Sequence, residues 1–193
     1  MIGPFYLIDR SRIEKNLRQE FEKFIQSIDL PTKIPCHVWV SERKKMTYGA
    51  NGLFYKFTNK YVIVIAVEVF ELKEIKPAFL TERRLFDQAG LNVSQYSPWI
   101  YTVLHEAAHA IIDEYNIKQT YLGKPRKKIV HGDQHALIVV ILFKIFVEKT
   151  KQNVEEFLSY LKDIWNKSGY TVDEEFFTLM KTIVKYLLKR EAL

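Results

Sequence analysis

Four of the five histidines in the chain fall between positions 105 and 135. The first two belong to the run His105-Glu106-Ala107-Ala108-His109. At about 100° per residue on a helix, His105, Glu106, His109 and Asp113 share one arc of about 100°. Ile100, Leu104, Ala108 and Ile111 lie on a different side, so the expected helix has a core face and a polar face. Two imidazoles one turn apart can hold one Zn²⁺ at about 2.0–2.1 Å. The glutamate between them is displaced around the helix, which leaves it free to take a proton from a zinc-activated water. The chemistry this predicts is peptide-bond hydrolysis. Glu106 acts first as general base and then as proton donor to the leaving amine.

A catalytic zinc usually has three protein ligands and one open position. His131-Gly132-Asp133-Gln134-His135 offers two candidates for the third. His131 is favoured, because it stands at a loop-to-helix junction and Gly132 tolerates a tight approach. His135 is the alternative, and otherwise reads as a packed histidine that supports the site from behind. Glu148 ranks third, at the far end of its helix. Asp113 reads as a solvated helix residue or as the partner of a ligand histidine. His37, in the first strand region, reads as structural.

The elements that must position these groups can be traced along the chain. Residues 10–27 place Ile13, Leu17, Phe21 and Phe24-Ile25 at helical spacing, and Pro31 and Pro35 close that segment. Cys36 to Val40 is a short strand candidate. Asn51-Gly52 is a hairpin signal, Thr58-Asn59-Lys60 can make a second turn, and Tyr61 to Val69 is rich in β-branched residues. Together these predict a small antiparallel sheet of about three strands. Residues 81–89 form a short helix closed by Gly90. Ser97-Pro98-Trp99 opens the helix that carries the first histidine pair and runs to about Glu114. Residues 116–130 read as a loop, and a buried helix follows over about 133–148. Two amphipathic helices complete the chain, at about 153–167 and 172–190. Thr171 and Glu174 have capping-box spacing at the start of the last.

From about Val38 to Phe143 the sequence resembles the SprT-like metallopeptidases, whose eukaryotic relative is Spartan. Val38-Trp39-Val40-Ser41, followed by Arg43, Met46 and Gly49, is similar to a strand and Ser-x-Arg-Met-like run in that family. A hairpin comes next, then a Leu-His-Glu-x-x-His-Ala helix at Leu104 to Ala110, then the His131-Gly132 pair. The resemblance implies that His105, His109 and His131 hold zinc and that Glu106 is the catalytic base. It also implies protein substrates near DNA, including DNA–protein crosslinks. The chain departs from the family pattern in three places. Asp133-Gln134-His135 stands where a Pro-Glu-Phe-like run is usual, and the stretch between His109 and His131 is longer. One cysteine cannot build the Cys-rich zinc ribbon that many members add.

Length and composition set the frame around this site. The chain has 193 residues, 48% of them apolar and 27% charged, which suits a globular protein and excludes a disordered or collagen-like one; the order of the elements makes the expected class α+β. The expected organisation is one zincin-like domain over 1–193. Its core spans about 33–150, with the sheet packed on the zinc helix, and residues 151–193 form a helical C-terminal extension. Val154, Phe157, Leu158, Leu161, Ile164 and Trp165 fall at core spacing there, as a packed cap or a dimer surface, and Trp99 reads as core. The single Cys36 excludes an internal disulfide and a Cys-rich metal site. It fits a reducing cytoplasm. The N-terminal apolar stretch is too short for a signal-peptide core, and no run approaches the roughly 20 apolar residues of a membrane span.

The net charge of +6 permits acidic partners. Residues 118–128 (KQTYLGKPRKK) hold five basic residues and no acidic one. Lys124, Arg126, Lys127 and Lys128 are the candidate DNA phosphate contacts, with Tyr121 available for stacking. A solvated basic loop is the competing reading. The alternative function from a different class is a non-enzymatic, zinc-stabilised module that binds nucleic acid or protein. A peptidase acting on one regulator protein, with no DNA role, is a third.

Overall fold

A computed structural model describes residues 6–7, 13–46, 50–125 and 130–191. In chain order the strands are β1 (Tyr6–Leu7), β2 (Cys36–Ser41), β3 (Gly52–Lys56), β4 (Tyr61–Ala66), β5 (Thr120–Tyr121) and β6 (Lys124–Pro125). The helices are α1 (Lys15–Ser27), α2 (Leu80–Ala89), α3 (Pro98–Glu114), α4 (Asp133–Phe146), α5 (Val154–Lys167) and α6 (Glu174–Glu191). The class is α+β, and mostly helical. Among the described residues no helix is long and apolar enough to cross a membrane. The chain divides into two compact units. The first joins Met1–Ile75 to Val93–Glu114, and the second joins Lys76–Asn92 to Tyr115–Leu193.

The first unit holds the larger sheet, in the order β1-β2-β4-β3. The expected all-antiparallel sheet is not what forms. β1 and β2 are parallel, β2 and β4 are parallel, and only β3 and β4 are antiparallel. The reason lies in Tyr61-Val-Ile-Val-Ile-Ala66, which is buried at every position. A strand apolar on both faces belongs in the sheet interior, with a strand on each side. β4 therefore lies between β2 and the edge strand β3. The turn at Thr58-Asn59 forms as expected, with the Phe57 N–H donating to the Lys60 carbonyl at 2.9 Å.

Asn51-Gly52 does not make a hairpin turn. It ends the connection from β2 to β3, where the Arg43 guanidinium donates to Asn51 Oδ1 at 2.7 Å and the Ala66 N–H donates to the Asn51 carbonyl at 2.8 Å. The core of this unit is aromatic where α1 packs. Phe21 of α1 meets Phe70 and Trp99 edge to face at 5.0 and 5.2 Å between ring centroids. Trp99 is 3% exposed, as its helical position predicts.

The second unit is built around α4. Every α4 residue but Lys144 is buried, so this helix is apolar nearly all round and must be enclosed by other elements. α2 supplies part of that enclosure, with Phe86 edge to face on Phe143 at 5.5 Å. Gly90 ends α2 at φ 66°, a left-handed geometry that suits glycine. α5 begins with a capping box, Asn153 accepting from the Glu156 N–H at 3.0 Å and donating its own N–H to the Glu156 carboxylate. The Thr171–Glu174 capping box does not form. α6 starts later, and Asp173 caps it by accepting from the Phe176 N–H at 3.1 Å. The Thr171 carbonyl is engaged by the Trp165 indole N–H at 2.9 Å. Phe157, Leu161, Ile164 and Trp165 are buried, as their spacing predicts.

Candidate metal centre

In the first unit, α3 carries His105, Glu106 and His109, exposed by only 7%, 6% and 9%. Their imidazole rings lie 5.5 Å apart between centroids, at 84°. The Tyr101 hydroxyl lies 3.5 Å from His105 Nδ1, and the Phe54 ring flanks His109 at 5.8 Å. The helix is anchored at its far end. Tyr61 donates its hydroxyl to Asp113 at 2.9 Å, and the Lys56 ammonium pairs with the same carboxylate at 2.8 Å. Asp113 is thus engaged by β3 and β4. Burial, then the Asp113 carboxylate, raise the Tyr61 phenol well above its ordinary range, so it stays a donor.

Gly52 sets the other boundary of this half of the site. A Cβ there would lie 2.7 Å from Glu106 Oε1, 2.8 Å from Glu106 Cγ and 2.8 Å from Thr102 Cγ2. Only a glycine lets the first residue of β3 cross this close to the glutamate. The Asn-Gly pair was legible in the sequence, but its purpose is close approach and not a turn.

In the second unit, His131 stands just before α4 and His135 within its first turn. Their rings lie 5.1 Å apart at 88°. The Phe79 ring stacks on His131 at 3.9 Å and 13°. His135 is fully buried, and its Nδ1 lies 3.4 Å from Glu82 Oε1, which is also fully buried. Glu82 and Phe79 escaped sequence reasoning. A signal existed, because Glu82 shares the α2 face of Leu85 and Phe86 at i+3 and i+4, where an ordinary surface glutamate does not belong.

Residues 116–130, expected as a loop, contain the short β5–β6 hairpin, turning at Leu122 and Gly123 with φ 51° and 73°. Asp133 holds it. This buried carboxylate accepts from the Thr120 hydroxyl at 2.7 Å and from the Leu122 and Gly123 N–H groups at 3.0 and 2.8 Å. Gly132 lies against the same hairpin, where a Cβ would sit 2.5 Å from the Thr120 carbonyl oxygen. Asp133→Ala would remove the acceptor shared by three donors, which are half-buried or exposed and can turn to water or, for Thr120, to Gln134 Oε1 at 3.3 Å; a hydrogen bond to a charged group is worth about 1.5–3 kcal/mol net. The expected result is a loss of about 1.5–3 kcal/mol in denaturant-measured stability.

The remaining candidates are placed elsewhere. Glu148 pairs with Lys144 at 2.9 Å. His37 lies in β2, half-buried. Burial pushes the Cys36 thiol up to about 12, which keeps it protonated at neutral pH. Lys124 is exposed on β6, while Arg126, Lys127 and Lys128 lie outside the described residues.

His105 and His109 in the first unit, and His131 and His135 in the second, each offer an imidazole nitrogen that could serve to hold a metal ion. No protein-family model matches the chain, and no curated protein or solved structure matches it either.

Proposed function

We propose that the chain is a zinc-dependent peptidase of zincin type, with His105, His109 and a histidine of the second pair as ligands and Glu106 as general base. The observation that carries this reading is the His-Glu-x-x-His segment on α3. It is nearly enclosed, and Glu106 is confined by Gly52. The donor chemistry fits, because neutral imidazoles are ordinary zinc ligands. A bound zinc ion would polarise a peptide carbonyl and acidify a water. In that reading Glu106 would take a proton from water at its carboxylate and deliver it to the departing amine. The resemblance to SprT-like peptidases adds DNA-associated proteins as the substrate class, with exposed Lys124 the described one of the four candidate phosphate contacts.

A second reading is a zinc-stabilised binding module. The count of four histidines favours it, because four protein ligands close a zinc site and leave no open position. Metal content and proteolysis, measured together, separate the two. The peptidase predicts about one zinc per chain and cleavage of an unfolded protein that chelator stops and added zinc restores. Zinc binding without cleavage, with or without single-stranded DNA, supports the module. Absence of bound zinc defeats both.

A further inference from the structure

α2 contributes to the second histidine pair with its first turn. Phe79 is the residue that caps this helix, and Glu82 is its third residue. The Phe79 ring lies flat on His131 and the Glu82 carboxylate faces Nδ1 of His135. A carboxylate with no exposure is costly to bury unless a donor faces it. The helix N-terminus offsets part of that cost by favouring negative charge. An imidazole whose Nδ1 meets a carboxylate holds its proton there, which leaves the Nε2 lone pair as its ligand atom.

We propose that Glu82 is a positioning residue for His135. It accepts the Nδ1 proton, fixes the ring and its tautomer, and presents Nε2 as a metal donor. His135 is thereby a firmly oriented donor of the second pair, beside His131, on whose ring Phe79 stacks. The metal part of this inference rests on the zinc reading above, but the tautomer does not.

Two measurements on the full chain test it. The first is the His135 tautomer, read from long-range ¹H–¹⁵N correlations of metal-free protein at alkaline pH. The expected result is Nδ1–H in the wild type. Glu82→Met, which keeps bulk and removes the acceptor, should move His135 toward Nε2–H. Glu82→Gln retains an acceptor oxygen and should restore much of the wild-type pattern. The second is zinc affinity, by competition with a chromophoric chelator. Glu82→Met should weaken it by about 10–100-fold, and Glu82→Gln by less. An unchanged tautomer in Glu82→Met overturns the proposal, and so does unchanged zinc affinity. Should the wild type bind no zinc, the peptidase reading fails, and the tautomer alone then decides whether Glu82 positions His135.

Discussion

Glu106→Gln is expected to abolish most peptide hydrolysis while leaving bound zinc at the wild-type level. The amide keeps the size of the carboxylate and loses its ability to take a proton. General-base catalysis contributes about 10²–10⁴-fold, so the rate per bound zinc should fall by that factor. Zinc content should not follow, because His105 and His109 lie on either side of Glu106 in the chain and keep their own contacts with Tyr101 and Phe54. Stability should hold or rise slightly, since an amide is cheaper to bury than a carboxylate. Cleavage at the wild-type rate by the zinc-loaded variant would remove Glu106 from the reaction and leave the binding module standing.

Gly52→Ala is expected to be nearly as damaging, at a position that donates nothing chemically. The new methyl would meet the Glu106 carboxylate and side-chain stem and the Thr102 methyl, all within 2.8 Å. Both neighbours belong to the same helix, so the strand cannot move clear of one without the other. Overpacking of this kind costs about 1–3 kcal/mol, readable as a lower denaturation midpoint. The larger effect is on rate, because a displacement near 1 Å at the reacting centre costs about 10²-fold. Thr102→Ser in the same chain removes one of the colliding methyls. It should recover part of the stability and little of the activity, since Glu106 would still be displaced. Full activity in Gly52→Ala would show that the glutamate tolerates the shift and that its confinement is unrelated to catalysis.

Local pattern carried much of this fold. The helix from Pro98 to Glu114, the buried helix from Asp133 and the Gly90 stop could all be read from periodicity and from end signals, because each is decided by residues within a few positions of one another. Sheet topology could not be read that way. Whether β4 pairs with β2 in parallel depends on competition for the interior of the sheet, and the all-apolar Tyr61–Ala66 strand wins it over β3, which is half-buried or exposed. Asn51-Gly52 misled for a related reason. The same dipeptide suits a tight turn and a close crossing, and only its distance from Glu106 tells which is in use. At the site, His105, Glu106 and His109 stood out through spacing alone. Glu82 did not, because its partner His135 lies far along the chain and no local rule joins them. Its position on the apolar face of α2 was the one available clue.

The chain passes between its two units three times, at residues 75–76, 92–93 and 114–115, and this has consequences for synthesis. α2 leaves the ribosome well before α4, with roughly 40 residues of chain between them. At about 5–20 residues per second, several seconds pass before the partner helix exists. During that interval Leu85 and Phe86 are uncovered and the Glu82 carboxylate is still in water. α3, with the first histidine pair, is completed within the same wait. A nascent chain whose first 115 or so residues have left the ribosome would therefore carry a finished first unit and an orphaned helix. An arrest at that length is where a chaperone that recognises short apolar helices would find most to hold.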